Sequence, residues 1–156
     1  MEIEAHPKDE RLYVEKVDVG EAKPRQVVSG LAAHYPDPQE LVGQKVVLCA
    51  NLKFSKFKGV MSQGMVMCAT DSESKAVRIL QPDEGADVGE SLIWENSGDY
   101  EPDETVNIGK KNSFWKKEIV EKLRTDSEGN MAFDGKAFTT KNGARIASPF
   151  GSSQIS

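Results

Sequence analysis

Between Asn51 and Met65 the chain reads Asn-Leu-Lys-Phe-Ser-Lys-Phe-Lys-Gly-Val-Met-Ser-Gln-Gly-Met, so three lysines, two phenylalanines and two glycines share one short stretch. Ammonium groups held this close repel one another unless a partner neutralises them, and the chemistry they offer is the binding of a polyanion. Residues 41–70 contain no aspartate or glutamate, whereas Lys45, Lys53, Lys56 and Lys58 give that stretch a charge of +4 in a chain whose net charge is −5. The plain alternative is a solvated lysine face. Phe54 and Phe57 are open to two readings as well: stacking on unpaired bases, or apolar anchoring of the loop. Gly59 and Gly64 fit turns or close backbone approach.

No other constellation supports chemistry. Cys49 and Cys68 lie in apolar runs and read as core residues, and only His6 and His34 could join them, without the paired spacing of a zinc site. The acidic stretch from Asp83 to Glu104 lacks the spacing of a calcium loop. Phosphate-loop and dinucleotide fingerprints are absent. The expectation is a protein without catalysis, metal or cofactor.

A length of 156 residues fits one domain, or a domain with an extension. The 38% hydrophobic and 29% charged composition is that of a soluble globular chain. No apolar run approaches the roughly 18 residues of a membrane span. The acidic start, Met1 to Pro7, is unlike a signal peptide, and two cysteines fit a reduced, cytoplasmic setting. Charge is unevenly distributed: residues 71–105 carry eleven acidic groups against Lys75 and Arg78. A pI near 5.1 argues against a generally sticky polyanion binder but not against one basic face, because screening confines attraction to about 10 Å.

The elements that must carry this island read as short strands. Apolar runs at 12–19, 26–31, 45–50, 65–69, 76–80 and 91–94 are separated by turn residues, the pattern of a small barrel or sandwich. The apolar parity shifts between Val14 and Val17, which suggests a bulge or bend. The 45–50 run is apolar on both faces and should be buried on both. Pro36 to Val42 reads as a turn or a single helical turn. After Asn107 the character changes. Ser113 could cap a helix running to Arg124, with Trp115, Ile119 and Leu123 on one face. Asp134-Gly135 between Met131–Phe133 and Lys136–Phe138 spells a two-residue hairpin. Ser97 to Thr105 is the natural connector.

Several motifs occur in order: His6-Pro7, Leu12 to Gly20, Arg25 to Leu31, Asn51-Leu52-Lys53, Ser62 to Ala69, Trp115 and the Asp134-Gly135 hairpin. Together they resemble the tRNA-binding domain shared by endothelial monocyte-activating polypeptide II and the carboxy-terminal domains of some methionyl- and tyrosyl-tRNA synthetases. The resemblance implies a mainly β protein: an OB-fold barrel over 1–106, with a carboxy-terminal extension over 107–156 containing one helix and a β-hairpin. It implies a module that recognises tRNA backbone and shape and supports a synthetase, methionyl or tyrosyl, in the cytoplasm. The extension would imitate a dimer interface and leave the chain a monomer. By matched positions Asn51, Lys53, Lys56, Lys58 and Ser62 inherit the phosphate-facing role, with Ser29 nearby and Gln63 and Met65 at the margin. The sequence departs from the family pattern at Phe54, where proline is common, at Phe57, where methionine is usual, and at Lys58, where arginine is usual. The family's barrel begins with a longer first strand, and Met1 falls inside what would be that strand. The alternative function is a protein-interaction or cytokine-like signalling domain without RNA binding.

Overall fold

The computed structural model describes residues 1–95, 101, 105, 106 and 115–156. The chain begins with a three-stranded antiparallel sheet of β1 (Glu2–Ala5), β2 (Tyr13–Val17) and β3 (Arg25–Ser29). The β2–β3 register is unbroken, from Tyr13 opposite Ser29 to Val17 opposite Arg25. The bulge expected here is therefore not present. The inward set is Tyr13, Glu15 and Val17, and the parity seemed to shift only because a buried glutamate reads as a solvent-facing residue. Two short 3-10 turns follow. The second, Pro38–Glu40, is the helical turn expected between Pro36 and Val42, and Asp37 caps it by accepting the Gln39 N–H at 2.9 Å.

The middle of the chain folds into short strands: β4 (Leu48–Cys49), β5 (Ser55–Phe57), β6 (Val60–Ser62), β7 (Met65–Val66), β8 (Cys68–Thr70), β9 (Val77–Ile79) and β10 (Gln81–Pro82). After these come β11 (Leu92–Trp94), β12 (Leu123–Thr125), β13 (Met131–Phe133), β14 (Lys136–Thr140), β15 (Ile146–Ala147) and β16 (Gln154–Ile155). β5 pairs with β6, β4 with β7 and β10 with β15, and a seven-stranded sheet runs in the order β11-β14-β13-β12-β16-β8-β9. The protein is mainly β, as expected, but among the described residues the strands do not join into a closed barrel. Where β3 meets the β6–β7 corner, side chains replace the ladder. Ser62 Oγ accepts the Val28 N–H at 3.0 Å, and Gln63 Oε1 accepts the Gln26 N–H at 2.9 Å.

Two apolar cores lie on opposite sides of the central strands. One gathers Tyr13, Val17, Val27, Leu31, Tyr35, Leu41, Val66, Cys68 and Ile79; the other gathers Met67, Leu80, Leu123, Met131, Ile146 and Ile155. Neighbours in sequence alternate between them, Val66 and Cys68 against Met67, as strand geometry requires. Val46 and Leu48 pack on the first core while Val47 and Cys49 pack on the second. The two-faced burial read from the 45–50 run is thus present. Both cysteines are free, Cys68 buried and Cys49 half-buried, and burial pushes the Cys68 thiol up to about 12.

The helix expected from Ser113 to Arg124 needs correction. Ser113 lies outside the described residues, as does most of the 97–105 connector. Trp115–Ile119 makes a single wide π-type turn, closed by Val120 N–H to Trp115 O at 3.0 Å. Leu123 to Thr125 is strand, with Leu123 and Thr125 buried and Arg124 exposed. A helix of this length is marginal alone, and β13 and β16 offer β12 main-chain partners on both edges. The apolar stripe still packs where expected: Trp115 and Ile119 rest against the core that holds Leu123, Met67 and Leu80. The Asp134-Gly135 hairpin forms between β13 and β14, with positive φ at both residues.

Candidate nucleic-acid interface

The lysine stretch projects as a second tight hairpin. Phe57 pairs with Val60, so the turn between β5 and β6 consists of Lys58 and Gly59 alone. Their φ values of 48° and 95° match the type I′ turn that the twist of two strands favours. Lysine rarely adopts positive φ, so something must hold it there. Lys58 Nζ lies 2.7 Å from Asp9 Oδ2, and Asp9 in turn receives Arg11 through Nε at 2.9 Å and Nη2 at 2.8 Å. The Arg11 guanidinium, then the Lys58 ammonium, hold the Asp9 carboxyl far below the usual carboxylate range. His6, 4% exposed, completes the clamp. Its Nδ1 accepts the Lys8 N–H at 3.1 Å, so Nε2 carries the proton and donates it to Phe57 O at 2.9 Å.

The base of the hairpin is held from the other side. Arg25 Nη1 donates to Ala50 O and to Gln63 O, while Gln26 Nε2 donates to Met61 O at 2.8 Å. Val106 lies alongside the incoming strand, accepting the Lys53 N–H at 2.8 Å and donating to Asn51 O at 2.7 Å. Residues 53–59 are all exposed, an unbroken run between two fixed ends.

The eight residues expected at the site divide into groups. Lys53 and Lys56 extend from this run, and no other described residue engages their ammonium groups. Lys58 shares its charge with Asp9. Asn51 is half-buried beside Cys49, whose thiol lies 3.8 Å from Asn51 Oδ1. Ser62 is 4% exposed, and its hydroxyl donates to Gly64 O at 3.0 Å while accepting from Val28. Gln63 is tied to Gln26 through both main chain and side chain. Met65 packs at the margin of the second core. Ser29 points inward and donates to Glu15 Oε1 at 2.5 Å. Lys45, counted in the basic stretch, lies elsewhere, its ammonium donating to Glu84 O and Ala86 O.

On the inward face of β2, between Tyr13 and Val17, sits Glu15, wholly buried, with Oε2 lacking any partner among the described residues. Burial pushes its carboxyl up to about 7, against the opposing hydrogen bond from Ser29. His6, Asp9, Arg25 and Val106 acquire their roles only from contacts far apart in sequence. His6 and Arg25 fall within motifs visible in the sequence, but nothing there gives them this work.

The hairpin is thus exposed, basic and clamped to a small β scaffold, an arrangement whose chemistry suits a polyanion. Residues 1–91 match the family model tRNA_bind, described as "Putative tRNA binding domain". The chain belongs to this family. It is 42% identical over 149 residues to cytoplasmic tyrosine–tRNA ligase of Xenopus laevis, covering 92% of this chain and 27% of the ligase. It is 43% identical over 136 residues to mouse aminoacyl tRNA synthase complex-interacting multifunctional protein 1, covering 87% of this chain and 42% of that protein. The chain therefore spans less than half the length of these relatives. Among solved structures, the carboxy-terminal domain of Plasmodium vivax p43 superposes with a TM-score of 0.89 at 31% identity, covering 99% of this chain and 91% of that one.

Proposed function

We propose that this chain binds tRNA through its phosphate backbone and acts as a non-catalytic module of the cytoplasm. It would raise the local tRNA concentration for an aminoacyl-tRNA synthetase, methionyl or tyrosyl, as a tethered second site does. The observation that carries this reading is the 53–59 hairpin, exposed throughout and fixed at both ends, with the Lys53 and Lys56 charges unspent. Family membership supports the choice of tRNA over an acidic protein. Within the expected site, Lys53, Lys56 and Asn51 face phosphate. Lys58, Ser62 and Gln63 build and hold the hairpin that presents them, while Ser29 is engaged with Glu15 and Met65 with the second core.

A salt titration of tRNA binding tests this. With about three to five phosphates neutralised, log K falls against log salt with a slope of roughly −2 to −4. Lys53→Ala with Lys56→Ala should flatten that slope by about 2, one per contact, while the melting curve stays in place. Binding indifferent to salt, or a folded double variant with unchanged affinity, overturns the reading.

Residues 1–106 are read as the barrel unit and 107–156 as an extension occupying a dimer-like surface, which leaves the chain monomeric. This is supported by β16, which pairs with β8 through Gln154 to Thr70 and Ile155 to Ala69, and by the shared core around Met67 and Leu80. Deleting 107–156 should bare the β8 edge and produce dimers or aggregates. A soluble, monomeric truncation in sedimentation would refute the idea.

A further inference from the structure

Beside the hairpin lies a depression of about 450 Å³ walled by Glu21, Lys23, Pro24, Arg25, Phe54 and Gln63. We propose that it receives one unpaired base of a bound RNA, stacked on the Phe54 ring. The proposal rests on the RNA-binding reading above and adds to it a second kind of contact, to a base rather than to phosphate.

The argument begins with what Arg25 can no longer do. Its Nε donates to Glu21 Oε2 at 3.0 Å and its Nη2 to Glu21 Oε1 at 2.6 Å, while Nη1 serves Ala50 O and Gln63 O. Four of the five guanidinium N–H groups are thus spent, and its charge is matched by Glu21. A phosphate entering here would meet the Glu21 carboxylate and find no free fork. A neutral base meets no such penalty. Phe54 is 50% exposed and, with Pro24, supplies the apolar surface a base requires.

The wall is also preformed. The Arg25–Glu21 fork and the Gln63–Gln26 bonds fix three of its side chains before any ligand arrives, which lowers the ordering cost of binding. The volume falls within the range of roughly 300–1,000 Å³ found for small-ligand sites. Lys23 on the rim and Lys53, next in sequence to Phe54, are exposed and unengaged by other described residues. They can take the phosphates on either side of the stacked nucleotide.

The test uses the full chain and two probes: a short single-stranded RNA carrying a central 2-aminopurine, and the same strand annealed to its complement. Stacking should quench the single-stranded probe on binding. Phe54→Leu keeps an apolar side chain but removes the π face. It should weaken single-strand binding roughly 5- to 150-fold, with the salt slope and the affinity for duplex unchanged. Phe54→Trp should restore both affinity and quenching. The proposal is overturned if Phe54→Leu binds the single strand as tightly as the parent, if it loses duplex and single strand equally, or if Phe54→Trp fails to quench. Should Lys53→Ala with Lys56→Ala leave both probes unaffected, the RNA-binding reading itself fails. Should the lysines matter and Phe54 not, only the stacking site falls.

Discussion

The molecule contains two hairpins built on the same turn and put to opposite uses. Lys58-Gly59 and Asp134-Gly135 each join two strands with positive φ at both central residues, 48° and 95° in the first, 49° and 78° in the second. The second lies inside the seven-stranded sheet, with Met131 and Ala132 buried and Phe133 packed on the core. The first has its whole leading strand exposed and is paired only within itself. An isolated two-stranded ribbon is marginal in water. The basic hairpin therefore relies on clamps from outside, His6 and Asp9 at the tip and Arg25 and Gln26 at the base, where the core hairpin relies on apolar packing. Identical turn chemistry leaves the fate of a hairpin undecided; what lies behind it decides.

The sharpest division should appear on removing packing. Met131→Ala takes a buried side chain from the core hairpin and should cost about 2–5 kcal/mol of stability, read in denaturant melts, with tRNA affinity of the folded fraction unchanged. An affinity loss of the same size would mean the two hairpins are mechanically one.

A pH effect lies in the β1–β2–β3 sheet. The Glu15 carboxyl rises from 4.5 to about 7 on folding, so between those values the folded state holds the extra proton. Stability should then decline as pH rises from about 4.5 through about 7 and level off above. Glu15→Gln removes a cost on the order of 3 kcal/mol at pH 8 and should change little near pH 4. Thermal melts of parent and variant at both pH values check the sign. A variant less stable at pH 8 than the parent would overturn this assignment.

The smallest effect concerns the turns themselves. Gly59→Ala and Gly135→Ala each force a side chain into positive φ, and each should cost roughly 1–2 kcal/mol. Neither Cβ would clash, since the nearest atom to Gly59 is Lys8 Nζ at 3.7 Å and Gly135 has open space. Stability losses should match, but only Gly59→Ala should weaken tRNA binding. Equal effects on binding would dissolve the distinction between the hairpins.

Much of this was readable in advance where the signal is local. Asp134-Gly135 announces its turn because both residues tolerate positive φ; the strands at 13–17, 77–79 and 92–94 fall within the apolar runs that suggested them, and 25–29 starts one residue before its run. The Lys58-Gly59 turn was harder to see, because lysine carries no turn signal and its conformation is held by Asp9, 49 positions away. Glu15 misled the strand reading for a related reason. A buried carboxyl is tolerable only beside a donor such as Ser29, and that donor belongs to the neighbouring strand. The stripe of Trp115, Ile119 and Leu123 was legible as a face that must be buried, yet its form was not. A four-residue spacing suits a helix, while partner strands on both edges drew Leu123 into the sheet.

The sequence by itself determined that this is a β-rich chain with a concentrated lysine stretch, because strand periodicity, turn preference and net local charge are properties of neighbouring residues. Only the tertiary structure decided which cations remain free. Lys45 is spent on loop carbonyls and Lys58 on Asp9, whereas Lys53 and Lys56 keep their charge for a partner. The physical reason is that an ammonium group is neutralised by whatever lies within a few ångströms of it, and that distance is set by the fold rather than by separation along the chain.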